Sequence, residues 1–267
     1  MSVENTFSVV VLIKRVPDTE TRLQVKDGKI VTEGISWVIS PYDEYAVEES
    51  LRLQEKFGGK VTLLCLGPED AKEVIRKGLA LGADDAIHLN DPAFEGGDAA
   101  TTARALAAAL KKMQYDLVFA GKQAVDEDNA QVAIRVAELL DLPHVNAVIK
   151  LELADNKKSA RCTREVDGER DVMETTLPAI LTAQQGLNEP RYPSLKGIMG
   201  AKKKPITNWS ASDLGLDAAT VGAAGAKIEI VHYDPPAPRP PGKIIPGDAP
   251  TAAKELVRLL REEAKVI

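Results

Sequence analysis

The sequence predicts an α/β protein, doubly wound around a mainly parallel sheet, with an antiparallel addition and an extended C-terminal arm. Three observations carry this. From residue 8 to about 145, short apolar runs alternate with segments whose apolar residues recur at helical spacing, the pattern of βα units. After about residue 146, short runs follow one another across turn residues, as antiparallel strands do. Near the end, a proline-rich stretch lacking the donors for regular structure precedes a short amphipathic segment.

The expected strands of the first part are Val9–Ile13, Val61–Leu66, Ala86–Leu89 and Leu117–Ala120. Each is short and almost continuously apolar, as a strand covered on both faces must be, so the four should be parallel neighbours. Between them, Ala71, Val74, Ile75, Gly78, Leu79 and Gly82 form one helical stripe. Ala99, Thr102, Ala103, Leu106 and Leu110 form a second, opened by Gly96-Gly97-Asp98, whose aspartate can cap the first turn. Ala130, Ala133, Ile134, Ala137 and Leu140 form a third, and a weaker one runs from Glu44 to about Phe57. Residues 21–40 interrupt the rhythm: Leu23 to Val25, a turn at Lys26-Asp27-Gly28-Lys29, then Ile30-Val31 read as a hairpin. Val148–Leu153, Ala160–Val166 and Asp171–Thr176 should pair antiparallel before Ala179–Ala183 returns as an apolar strand. Residues 217–225 are rich in glycine and alanine, and Pro235–Gly242 favours an extended path. Ala252–Ala264 should form a helix whose Ala253, Leu256, Leu259 and Leu260, with Val266 beyond, need a surface such as a partner chain. The expected division is an α/β domain over 1–216, with a loop at 184–204, and an arm with its helix over 217–267.

Composition narrows the function. At 267 residues and 44% hydrophobic content, the chain can bury one large core. A net charge of −6 removes the basic face that phosphate neutralisation needs, so no nucleic acid is expected. No apolar run approaches the roughly 20 residues that span a bilayer, and no targeting segment is seen, so no membrane insertion is expected. Cys65 and Cys162 lack zinc or redox-pair spacing, and His88, His144 and His232 stand alone, so no metal site is expected.

Two segments can carry chemistry. The stretch from Phe119 to Ile134 leaves a strand and enters a helix, where unpaired amides and the helix dipole favour an anion such as a nucleotide phosphate. Neither a Walker A pattern nor GxGxxG is present, which favours binding without hydrolysis over an adenylyl-transfer or hydrolase reading. A second reading stands beside it: Asp126, Glu127 and Asp128 cap the helix themselves and would repel phosphate unless turned away. Open sheets bind ligands at their strand carboxyl ends, which would gather Lys14–Asp18, Ser40–Asp43, Leu66–Pro68 and Gly121–Ala130. The connection from Gln184 to Lys204 is unusually long and sets Leu195, Ile198 and Met199 among turn formers, as a recognition loop does. The alternative is that these side chains enter the core and Lys202-Lys203-Lys204 is a solvated charge run.

Lys14-Arg-Val-Pro-Asp18, Pro41 to Glu49, Gly121-Lys-Gln-Ala-Val-Asp126 and Leu187-Asn-Glu-Pro-Arg-Tyr192 together resemble the electron-transfer flavoprotein beta subunit (ETF beta / FixA family), over residues 8 to about 267. The stretch Leu187 to Lys204 is the specific part of that resemblance. It implies an adenine-nucleotide-binding, Rossmann-like sheet in a non-catalytic electron carrier, cytoplasmic and of bacterial or archaeal type. It implies a heterodimer in which the alpha subunit holds most of an FAD and this chain holds AMP. The implied nucleotide contacts are Leu12, Ser40, Pro41, Tyr42, Asp43, Leu66, Gln123, Ala124, Val125, Asp126, Glu127, Asp128, Asn129, Ala130, Gln131, Val132, Ala133 and Ile134. Thr19 and Tyr42 are implied to approach the flavin ring, and Glu165 to steer the FAD domain. Leu195, with Ile198 and Met199, is implied to dock acyl-CoA or other dehydrogenases, whose electrons pass on to a quinone oxidoreductase. The arm and terminal helix are implied to pack on the alpha subunit. A branch of the family carries a second FAD in place of AMP, and Val16 to Thr19 with Gly97-Asp98 resemble that branch. Outside the family, a nucleotide-sensing homodimer leaves the 187–204 loop and the arm unexplained.

Overall fold

The computed structural model describes residues 6–239 and 241–267, so residues 1–5 of the expected first domain and Pro240 of the expected arm lie outside the described residues. In chain order the elements are β1 (Phe7–Ile13), β2 (Arg15–Pro17), β3 (Val25–Lys26), β4 (Lys29–Ile30), β5 (Trp37–Ile39), α1 (Pro41–Phe57), β6 (Gly59–Leu66), α2 (Ala71–Leu81), β7 (Asp85–Leu89), α3 (Ala99–Leu110), β8 (Leu117–Gly121) and α4 (Val132–Leu140). There follow β9 (His144–Leu153), β10 (Ser159–Val166), β11 (Glu169–Thr176), β12 (Ile180–Ala183), α5 (Leu195–Ala201), β13 (Ile206–Trp209), α6 (Gly222–Gly225) and α7 (Ala249–Glu262). They divide into two compact units, one of Met1–Leu23 with Val31–Val231, the other of Gln24–Ile30 with His232–Ile267.

In the first unit, nine strands form one mixed sheet in the order β11-β10-β9-β12-β8-β1-β6-β7-β13. The four strands expected as parallel neighbours are the run β8-β1-β6-β7, all parallel. The expected antiparallel addition is β9-β10-β11. β1 shows why the sheet is doubly wound: Val9, Val11 and Ile13 enter a core with α1 and α2, while Val10 and Leu12 enter a second core with α3 and α4. Both faces are covered, so the strand reads apolar throughout. Gly78 lets α2 lie close, because a Cβ there would stand 2.6 Å from a Leu63 methyl.

Two helix starts in this unit differ from expectation. α1 starts at Pro41, because proline pre-sets helical φ at a first position whose N–H has no intrahelical partner. α4 starts at Val132 and not Ala130, since Asp128 and Ala130 take left-handed φ of 51° and 52° and extend the loop. α5 and β13 were not expected at all. α5 contains two glycines that lower its helix propensity, and β13 is four residues long with Thr207 and Asn208 exposed, so neither carries a clear periodic signal.

The second unit contains the β3–β4 hairpin, a segment outside helix and sheet whose Tyr233 amide bonds to the Gly28 carbonyl at 2.9 Å, and α7. Asp248 caps α7 through the Thr251 amide, which moves its start ahead of Ala252. No residue of α7 is buried. No described helix is long and apolar enough to cross a membrane.

Candidate functional site

The carboxyl ends of β1, β6, β7 and β8 open into a cavity of about 530 Å³. Leu12, Leu64, Leu66, Phe94 and Leu106 give it apolar walls, and Lys14, Asp43, Asn90, Gln123, Asn129 and Gln131 give it polar groups. Of the residues singled out from the sequence, Leu12, Asp43, Leu66, Gln123, Ala124, Glu127, Asn129, Ala130, Gln131, Val132 and Ala133 line it. Ser40, Pro41, Tyr42, Val125, Asp126, Asp128 and Ile134 do not, although Ser40 is fully buried and its hydroxyl has no partner among the described residues. Thr19 lies in an exposed turn, and Glu165 is exposed on β10 opposite Arg170. The sequence reading omitted the wall formed by Asn90, Asp91 and Phe94. The rule that collected the other loops reaches it too, because these residues directly follow β7.

The amino ends of α3 and α4 both line the cavity, and among the described residues the first is capped by a side chain and the second is not. Asp98 caps α3, accepting the Ala100 amide at 3.0 Å and the Thr101 amide at 2.9 Å. It also accepts the Lys227 amide at 2.8 Å, and the Lys227 and Thr101 bonds hold its carboxyl at about 2. α4 has no side-chain cap, and among the described residues the amides of Gln131, Val132, Ala133 and Ile134 find no acceptor. The three acids ahead of α4 are each paired with another side chain. Asp126 pairs with Lys14 at 2.8 Å, Glu127 accepts from Asn129, and Asp128 accepts from Gln123 at 2.7 Å. Asp126 and Asp128 fall outside the lining, while Glu127 lines the cavity with its charge 3.5 Å from the Lys14 ammonium, and α4 presents its dipole and open amides to the same space.

Asp43 ties the cavity together. Its two oxygens accept the Lys14 amide at 2.7 Å and the Gly121 amide at 2.8 Å, joining the exits of β1 and β8 to the first turn of α1. Gly121 permits this approach, since a Cβ there would lie 2.5 Å from an Asp43 oxygen and 2.8 Å from the Asp43 amide. Burial raises the Asp43 carboxyl to about 7, against the pull of the two amides and Lys14. A folded chain therefore keeps a proton between about pH 4 and 7 that an unfolded chain has released, and stability contributed at this residue falls as pH rises through that window. Asp43→Asn should flatten this part of the slope in denaturant titrations at stepped pH, and an unchanged slope contradicts the assignment.

The 184–204 segment is pinned from beneath and apolar on top. The Arg191 guanidinium bonds Glu48 at 2.7 Å and Glu55 at 2.5 Å, and Asn188 donates to the Tyr45 carbonyl at 3.0 Å. Burial pushes the Glu48 carboxyl up, but bonds from Arg191 and Arg52 hold it below the ordinary range. α5 sits on α2 through Gly197, whose Cβ position is 2.3 Å from the Ala80 carbonyl oxygen. Lys204 is not part of a solvated run: its ammonium bonds the Leu79, Gly82 and Ala83 carbonyls at the end of α2. With the polar contacts directed inward, Tyr192, Ile198, Leu195 (76% exposed) and Met199 (66%) stand in solvent, contrary to the reading that they enter the core. Arg191→Met should cost about 2–3 kcal/mol, because Glu48 is left nearly closed to water with one cation fewer. Chemical denaturation measures this, and faster proteolysis between residues 188 and 194 should accompany it.

The model of a family described as electron transfer flavoprotein domain matches residues 27–214. The chain is 43% identical over 262 residues to the electron transfer flavoprotein subunit beta of Bacillus subtilis (strain 168), covering 98% of this chain and 100% of that one. It is 41% identical to the protein of the same name from Thermoanaerobacterium thermosaccharolyticum, over 95% of this chain and 98% of that one. It is 37% identical to the caffeyl-CoA reductase-Etf complex subunit CarD of Acetobacterium woodii, over 96% and 98%.

Proposed function

The chain belongs to the electron-transfer flavoprotein family as a beta subunit, a non-catalytic electron carrier, and from that premise we propose a heterodimer in which the cavity holds AMP. The observation that carries AMP is the contrast between the two helix ends: α4 offers four amides without acceptors, while Asp98 occupies the end of α3. One phosphate has one open place among the described residues. The apolar walls from Leu12, Leu66 and Phe94 suit a flat base. The alternative occupant, a second FAD, carries a diphosphate and has the Gly96–Asp98 side of the cavity open to it; the capped α3 end favours AMP.

FAD, held mainly by the alpha subunit, supplies the redox chemistry when bound. Tyr42, at the start of α1, and Thr19, in its exposed turn, face that flavin in this reading, and Glu165 steers the FAD domain by its charge. The arm and α7 pack on the alpha subunit, which covers the apolar side of a helix that has no buried residue here. Electrons enter from acyl-CoA or other dehydrogenases docked on Leu195, Ile198 and Met199, and leave to a quinone oxidoreductase. A relative named as part of a complex with caffeyl-CoA reductase supports docking of this kind.

Calorimetry with AMP and adenosine tests the site. If the phosphate rests on α4, AMP binds at least about tenfold tighter, about 1.4 kcal/mol. Equal affinities would place the phosphate away from α4 and overturn the assignment.

A further inference from the structure

α5 is fixed to the body of the chain at several points. Ser194 caps it by accepting the Gly197 amide at 3.0 Å, and Gly197 lies against the Ala80 carbonyl. The Arg76 guanidinium donates to the Ala201 and Lys204 carbonyls at 2.6 and 2.5 Å. Residues three and four apart on a helix are neighbours, so Leu195, Ile198 and Met199 make one apolar patch. Of these three side chains only the thioether is open to reversible oxidation. Met199 is 66% exposed, and a Cβ at the neighbouring Gly200 would meet no atom within 4 Å, so the approach to this end of the patch is open. Of the other described methionines, Met113 is half-buried against the core shared by α3 and α4. Met173, 41% exposed, lies on β11 at the sheet edge, whereas α5 packs on α2.

We propose that Met199 is a site of reversible oxidation by peroxide, and that its sulfoxide lowers the rate at which electrons enter the carrier. This rests on the docking reading of the Leu195 patch and adds a control to it. The sulfur lone pair attacks one oxygen of hydrogen peroxide, an S–O bond forms and the O–O bond breaks. The departing hydroxide takes the proton of the transferred oxygen and leaves as water. The sulfur loses two electrons and the peroxide gains them. In a flavin carrier the oxidant has a source, since a reduced flavin without an acceptor passes its electron pair to dioxygen and yields hydrogen peroxide. The product is a polar group one helical turn from Leu195, and a partner that covers the patch must strip it of water. The bonds that hold α5 run through Ser194, Gly197 and Arg76 and not through the Met199 side chain, so the helix stays in place and the change is confined to the docking face. A carrier that leaks electrons to oxygen thereby draws fewer of them.

The test uses the heterodimer with its FAD, treated with hydrogen peroxide in steps. Peptide mass spectrometry should find an added oxygen at Met199 at least about tenfold sooner than at Met113, as their exposure orders them. Reduction of the carrier by its dehydrogenase at limiting concentration should then fall about tenfold, through KM and not kcat, and methionine sulfoxide reductase should restore it. Met199→Leu, referred to its own untreated rate, should lose less than about twofold under the same peroxide, while Met173→Leu should lose as much as the parent. An equal fall in Met199→Leu places the damage elsewhere and overturns the proposal. Oxidised Met199 with unchanged transfer, or Met113 oxidised first, overturns it as well. If Leu195→Ala also leaves transfer unchanged, the docking reading itself has failed. If Leu195→Ala slows transfer and the sulfoxide does not, the docking reading stands and this inference alone falls.

Discussion

Asp43→Ala is expected to lower stability by about 2 kcal/mol: the buried Gly121 amide and the partly buried Lys14 amide, at about 1–3 kcal/mol each, lose their acceptor, less the burial cost that the carboxyl no longer carries. The Lys14 and Gly121 amides belong to the exits of β1 and β8, so the loss falls on the cavity as well as on the fold. Lys14 also reaches Asp126 and thereby holds the turn ahead of α4, so AMP retention should fall in the same variant. Asp116→Ala is the matched control. Asp116 accepts the Ser8 amide at 2.7 Å near the opposite end of β1, so its loss should reduce stability and leave AMP affinity unchanged. Thermal denaturation with AMP calorimetry on both variants decides the matter: equal losses of affinity would show that Asp43 acts through stability alone.

Leu195→Ala is expected to slow electron transfer from the dehydrogenase by about 30-fold at limiting concentration, the effect of losing an anchor worth about 2 kcal/mol. Flavin content and melting temperature should not change, because the side chain is largely in solvent and contributes nothing to the core. A second variant reaches the same surface by another route. Gly197→Ala keeps Leu195 but brings a methyl against the Ala80 carbonyl, lifting α5 from α2 and misplacing the patch. Both should raise the KM for the dehydrogenase more than they change kcat, since they disturb docking and not the flavin. Unchanged transfer by Leu195→Ala removes the anchor from the account.

The legible part of the fold was the part whose residues answer to one requirement. Val9 to Ile13 is apolar at every position because alternate side chains enter two different cores, and that run identifies a doubly covered strand without any partner in view. The stripes of α2 and α3 and the Asp98 cap were legible for the same reason. α5 was hidden because its shape depends on Ala80, more than a hundred residues earlier, against which Gly197 is a packing choice and not a turn signal. β13 was hidden because its order comes from pairing with β7, not from a pattern of its own. In the site, the loops after β1, β6 and β8 followed from topology, but the direction of Asp126, Glu127 and Asp128 did not. Those acids read as caps of α4, and only the positions of Lys14, Asn129 and Gln123 show them paired with other side chains, Glu127 still lining the cavity.

The most direct test of the account is to purify the chain with its native alpha subunit, denature the complex, and count the nucleotides released. One FAD and one AMP per heterodimer is the predicted result. Two FAD and no AMP would contradict the occupant assigned to the cavity, and a chain that binds neither partner nor flavin would contradict the heterodimer itself.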